Sequence, residues 1–348
     1  MAASDFDSHL RKTVAWHFDP TTGSPFWLRK RDELGFDPNE IDTVADLTGF
    51  PDVSDELRSV PVQDLVPRGM AGTVFRVYES GGTTGSPKRI VDARYRRAML
   101  AWARDRLLDL GVPANGNWLH IAPTGPHVAG TDVATHAAMG GGFFHTVDFD
   151  PRWVKRLVAA GKRDVVGQYV QHLVDQAETV MATQDIDVLN ATPALLEAIC
   201  ARPRLVETVN AKVTAILWAG MSASAETLRV LDEYFFPEVA IAGVYGNSLM
   251  GVAPQRPRLA DDAHRCVFEP FPETTRIDLV DEDGKIVDYG ERGRVRLHLI
   301  SPEMFLPNVM ERDSAVRVAP TTAGGVDGLA DVQPYQAPGD AEIIEGVY

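Results

Sequence analysis

Ser80-Gly-Gly-Thr-Thr-Gly-Ser-Pro-Lys88 is the stretch whose reading decides the fold. Its three glycines let the backbone turn its N–H groups into one concavity. Thr83, Thr84 and Ser86 add hydroxyl donors and Lys88 adds a positive charge, so the segment reads as an anion cradle. It fails the Walker pattern, because Pro87 separates Gly85-Ser86 from the lysine. Its flanks, residues 73–78 and 89–91, read as strands, whereas a Walker loop opens a helix. The plain alternative is a solvent-exposed hairpin loop of turn formers.

Working outward, residues 1–70 read as lead-in helices packed on the main body, broken by Pro20, Pro25, Pro38, Pro51, Pro61 and Pro67. Downstream, residues 95–110 form a helical pattern stopped by Gly111 and Pro113. Apolar strands at 118–122, 143–149, 186–189, 213–218 and 239–245 then alternate with helices, the clearest at 165–181, 193–200 and 223–235. Short apolar strands separated by helices predict a largely parallel sheet covered on both faces. The α/β core is expected over residues 71–265. Residues 266–348 read as β-rich, with an antiparallel meander at 276–280, 285–287 and 295–300 and a mobile loop at 320–338.

Composition narrows the function classes. The 348 residues are 45% hydrophobic, enough apolar surface to order the chain rather than leave it disordered. Lys+Arg number 34 against 49 Asp+Glu, a formal net charge of -15, so the long-range field repels nucleic acid and anionic membrane. Phosphate must therefore be held by local geometry. The N-terminus carries no secretory pattern, and no apolar run approaches a bilayer span. Cys200 and Cys266 form no CxxC spacing, so neither a zinc site nor a disulfide framework is expected. The expectation is a soluble, cytoplasmic protein without nucleic-acid or membrane partners.

The 80–88 stretch resembles the phosphate loop of the adenylate-forming superfamily, the acyl- and aryl-CoA ligases, adenylation domains and luciferases. The pattern there is Ser/Thr-Ser/Gly-Gly-Ser/Thr-Thr-Gly-x-Pro-Lys. The lead-in, with Ser24-Pro-Phe-Trp-Leu-Arg-Lys-Arg31, Gly35-Phe-Asp-Pro38, Ala45-Asp-Leu47 and Pro61-Val-Gln-Asp-Leu65, is similar to the phenylacetate-CoA ligase and phenazine-pathway adenylating branch. The resemblance implies the large N-terminal-type α/β domain of these enzymes, with helix-flanked parallel sheets and a smaller antiparallel β part. It implies ATP as cofactor, with Mg²⁺, and activation of a small aryl carboxylic acid as the acyl-adenylate in secondary metabolism. An acceptor enzyme or carrier protein would take the acyl group, and a homodimer is in keeping with the branch.

The same resemblance assigns Ser80, Gly81, Gly82, Thr83, Thr84, Gly85 and Lys88 to phosphate, with Thr84 and Lys88 catalytic. Val244-Tyr-Gly-Asn-Ser-Leu249 is similar to the family's Tyr-Gly-x-Thr/Ser-Glu motif and places Tyr245, Gly246 and Ser248 around the nucleoside, with Asp313 on the ribose. His127, Gly220 and Met221 fall on the acyl side, His127 as a gating and catalytic group or as a loop histidine satisfied by backbone. Two departures stand out. Leu249 replaces the glutamate that helps hold Mg²⁺, and no protein metal ligand is assigned. The last lysine is Lys285, so the C-terminal lid domain and its lysine are expected to be absent. A non-catalytic nucleotide- or acid-binding protein is therefore the alternative. A serine hydrolase using Ser248, with residues such as Asp261 and His264, is more distant, because the second glycine of its elbow comes one position late.

Overall fold

The computed structural model describes residues 3–82 and 85–336. The chain divides into two compact units. The first holds residues 1–99, 247–252 and 269–335, and the second residues 100–246, 253–268 and the C-terminal residues from 336.

In the first unit the lead-in contributes helices Ala3–Phe18 and Pro25–Lys30 and several one-turn 3₁₀ segments. Pro25 sits at the first helical position, where its missing N–H is not needed, and Ser24 Oγ accepts from the Trp27 amide at 3.4 Å. The apolar faces meet in an aromatic core. Phe18, Trp27, Phe50 and Phe305 lie with ring centroids 5.3–6.2 Å apart, mostly edge to face. Trp27 Nε1 donates to the Phe305 carbonyl at 2.9 Å, which satisfies the polar end of a buried indole. Next come β1 (Arg76–Glu79) and β2 (Arg89–Asp92), an antiparallel hairpin in register from Arg76↔Asp92 to Glu79↔Arg89.

The second unit carries the parallel sheet. β3 (Trp118–Ile121), β4 (Phe144–Val147), β5 (Val188–Ala191), β6 (Ala215–Ala219) and β7 (Ala240–Asn247) lie side by side in the order β4-β3-β5-β6-β7, all parallel. β8 (Gly251–Pro254) forms the edge beside β7, and Gln255 bridges to β9 (Val267–Phe268). Every residue of β3 and β5 is buried, as expected for strands covered on both faces. Trp118, Val188, Ala215, Leu217 and Ala242 pack with Leu107, Val133 and Ala137 into one core. Gly142 precedes β4 against the Gly116 carbonyl, where a Cβ has no room; Gly140 is likewise tight, while Gly141, at φ 67°, faces open space.

Strand order identifies where a ligand fits this sheet. From β3 the chain steps to β4 on one side and then returns to β5 on the other, so the order reverses between β3 and β5. Open α/β sheets form their ligand crevice outside the carboxyl ends of the strands at such a reversal.

Back in the first unit, β10 (Thr275–Val280), β11 (Arg292–Ile300), β12 (Phe305–Val318) and β13 (Gly328–Pro334) pair antiparallel in chain order. Three details differ from the sequence expectation. Residues 285–287 make one isolated bridge, Val280↔Ile286, instead of a strand. β12 was hidden because Pro307, Asn308 at φ 54° and the charged run 311–313 interrupt its alternation. Residues 328–334, inside the stretch read as a loop, form β13, while residues 337 and 338 lie outside the described residues. Among the described residues, no helix is long and apolar enough to cross a membrane.

Candidate functional site

The 80–88 segment is the connection of the β1–β2 hairpin, as its flanks predicted. Its ends are tied by two bonds, Ser80 N to the Lys88 carbonyl and Lys88 N to Ser80 Oγ, each 2.9 Å. Gly82 and Gly85 have φ of 63° and 143°, which side-chain-bearing residues rarely adopt. Thr83 and Thr84 lie outside the described residues, so the structure does not address the roles assigned to them. Arg58 Nη1 donates to the Ser86 carbonyl and braces the far side of the loop.

Lys88 is held by a residue that the sequence reading did not single out. Its Nζ donates to Ser54 Oγ at 2.8 Å, and Ser54 is buried. Ser54 is positioned in turn, its amide donating to Asp52 Oδ1 at 2.8 Å, while Asp52 Oδ2 accepts from the Met310 amide at 3.0 Å. Asn308 clamps the same segment, its Nδ2 donating to the carbonyls of Thr48 and Phe50 at 3.3 and 2.7 Å. The Asn308 amide donates to Nδ1 of the buried His298 at 3.0 Å. The start of β12 thus pins the segment that holds Lys88.

Beyond Met310, β12 brings Glu311, Arg312 and Asp313 to the same neighbourhood. Burial pushes the Glu311 carboxyl up to about 7, aided by the charge of Asp313 and, more weakly, Asp52, while Lys88 and Arg312 pull it down. Glu311 Oε1 is shut off from solvent and has no hydrogen-bond partner among the described residues. Asp313 is on a strand, paired with Pro334, rather than in a loop. Glu311 and Ser54 are the site residues that sequence reasoning missed. Neither belongs to a motif identified in the sequence.

Residues 247–250 make the turn between β7 and β8. Asn247 Oδ1 accepts from the amides of Leu249 and Met250, both at 2.9 Å, and the Tyr95 hydroxyl donates to the Met250 carbonyl. Ser248 Oγ donates to the Glu79 carbonyl at 3.3 Å, so the structure brings Ser248 to the base of the hairpin. Leu249 is buried. A strand-to-strand turn is not the strand-to-helix elbow that exposes a nucleophilic serine.

In the second unit, residues that the resemblance assigns to the acid and the nucleoside lie on one side of the parallel sheet. His127 follows β3 and opens the helix Val128–Met139, without a side-chain cap bond. Gly220, at φ 84°, and Met221 follow β6 directly, and Tyr245 and Gly246 stand near the end of β7. All lie at or just beyond the carboxyl ends of parallel strands. The helix after Met221 begins at Ala225 rather than at 223, because Ser224 Oγ takes the Thr227 amide at 2.9 Å as its cap. Tyr245 leans on Phe268 with centroids 6.2 Å apart. His120 Nδ1 meets Asn190 Oδ1 at 2.6 Å and Asn190 Nδ2 donates to the Leu217 carbonyl at 3.3 Å. Burial pushes the His120 imidazole down from its ordinary value.

The first unit by itself offers a glycine-rich hairpin with one ammonium, suited to an anion. The second by itself offers the carboxyl ends of parallel strands at a strand-order reversal. Among the described residues no group of three or more His, Cys, Asp or Glu side chains is arranged for a metal ion.

No protein-family model matches the sequence, and comparison with the curated proteins finds no match. Solved structures do match in fold. The open conformation of 2-hydroxyisobutyryl-CoA ligase with 2-HIB-AMP and CoA aligns over 94% of this chain and 73% of that chain, with a TM-score of 0.64 at 14% identity. The same ligase in its postadenylation state with 2-HIB-AMP aligns over 94% and 66%, with a TM-score of 0.64 at 13% identity. The chain therefore spans about two thirds to three quarters of the ligase chains it matches. Mixed parallel and antiparallel sheets in this arrangement are the fold of the N-terminal domain of adenylate-forming enzymes.

Proposed function

We propose that the protein binds ATP and activates a small carboxylic acid as its acyl-adenylate. The observation that carries the reading is Lys88, at the foot of a glycine-rich hairpin, with its ammonium directed by a buried serine. An ammonium has three N–H donors, and Ser54 takes one, which leaves donors for phosphate oxygens. In the reaction a substrate carboxylate oxygen bonds to the α-phosphorus, the bond from that phosphorus to the β-phosphate oxygen breaks, and pyrophosphate leaves. Lys88 would neutralise charge on the phosphates, and the 80–88 backbone would orient them. The fold it shares with a ligase crystallised with an acyl-adenylate supports this reading.

Within the proposal, the acid is aryl and the setting secondary metabolism, after the phenylacetate-CoA ligase-like branch. Tyr245, Gly246, Ser248 and Asp313 serve the nucleoside, and His127, Gly220 and Met221 serve the acid. The acyl group passes to CoA, an amine, a carrier protein or a reductase. Magnesium is given no protein ligand, since Leu249 is a buried hydrocarbon where the family's glutamate would be. That same leucine favours the second reading, a nucleotide- or acid-binding protein without turnover.

Two measurements decide between them. Calorimetry with ATP on wild type and Lys88→Ala should show the variant weakened about 10- to 100-fold, the usual worth of a charge-assisted bond. Unchanged affinity refutes the assignment of the loop. Pyrophosphate release with a panel of aryl and small aliphatic acids then separates enzyme from binder, and silence with every acid despite ATP binding leaves the binder.

A further inference from the structure

Glu311 has no part in the reading above, yet its carboxyl feels the charge of the lysine on which that reading depends. It lies on β12, two residues before Asp313, with Oε1 closed to solvent and unpartnered among the described residues. The charged groups facing it come from each neighbouring element: Asp52 from the 51–55 segment, Lys88 from the start of β2, and Arg312 and Asp313 from β12 itself. Arg294 on β11 donates its Nε to the Glu311 backbone carbonyl at 2.7 Å and leaves the carboxyl alone. A purely structural acid here would close an ion pair with Lys88. Instead the ammonium bonds to Ser54 Oγ, and Oε1 of Glu311 meets no partner among the described residues.

We propose that Glu311 is a positioning residue of the Lys88 anion site: as the neutral acid it leaves the lysine charge to a phosphate group, and as the carboxylate it competes for that charge. The inference rests on the reading of Lys88 as a phosphate ligand. A bound phosphate adds negative charge beside Glu311 and raises its proton affinity further, so binding draws a proton from solvent onto the carboxyl. The carboxyl's position, pushed up to about 7, places this exchange near neutral pH. The coupling is absent from the sequence pattern, because the residues that create it lie in three separate segments.

The test is calorimetric titration of the whole chain with ATP at pH 6, 7 and 8, in buffers of low and high ionisation heat. Wild type should lose about fivefold in affinity from pH 6 to pH 8 through this group, for one unit of coupling. It should also take up a fraction of a proton at pH 7. Glu311→Gln should bind about fivefold more tightly than wild type at pH 8, nearly match it at pH 6, and show no such uptake. The nucleotide's own titration is common to both proteins and cancels in the comparison. If the glutamine variant does not fold, Glu311→Leu removes the same charge and gives the same readout. Identical pH profiles in wild type and variant overturn the role of Glu311. Absence of ATP binding in both, at every pH, instead refutes Lys88 as a phosphate ligand and removes the basis of the inference.

Discussion

Replacing Glu311 by glutamine should stabilise the protein, and by an amount that grows with pH. The carboxyl is raised from an ordinary 4.5 to about 7, mainly by burial. A group with a raised folded value stabilises in full below the unfolded value, and that contribution is lost as pH rises through the folded one. The span corresponds to about 3 kcal/mol at 1.36 kcal/mol per unit. Glutamine keeps the shape and has no proton to lose. Relative to wild type it should gain about 1 kcal/mol at pH 5, about 2 at pH 6 and about 3 at pH 7 and above. Urea unfolding at those pH values, followed by far-UV circular dichroism, measures the difference directly. Other titrating groups are common to both chains and cancel. A difference that does not vary with pH, or a wild type more stable than the variant at pH 8, would refute the claim that this carboxyl is desolvated.

The remaining predictions concern other buried polar groups. His17 is pushed down to about 4 by burial, and its Nε2 donates to the Ser301 carbonyl at 2.8 Å. Its folded value lies below the unfolded one, so its stability is complete above pH 6.5 and falls by about 3 kcal/mol as pH drops to 4. His17→Gln should flatten that acid slope, and an unchanged slope counts against a buried neutral imidazole. Asn308→Ala should destabilise by about 2 kcal/mol, losing two amide bonds at a positive φ. Asn308→Gly should lose only the bonding part; equal losses in urea unfolding would mean that backbone strain plays no role.

Much of the fold was legible before the structure. The helix Pro193–Cys200 was read to the residue, and the parallel strands were placed within two residues, because continuous apolar runs bounded by turn formers have few other solutions. The 80–88 loop announced itself through composition and its strand flanks. β12 and β13 did not: one hides its alternation behind Pro307, Asn308 and 311–313, and the other is a Gly/Ala-containing strand ordered by its partner. Pairing of that kind is a long-range bond pattern with little local signature.

By itself the sequence determined the phosphate-compatible loop, the α/β alternation and the acidic field that forces any phosphate site to be local. Only the tertiary structure decided which groups surround Lys88. Ser54, Asp52 and Glu311 reach it from segments 34, 36 and 223 residues away in the chain, and none belongs to a motif. Local patterning encodes which face of a strand or helix is buried. It does not encode which charges share that burial, and the proton affinity of Glu311 depends on desolvation and on neighbours that only folding assembles.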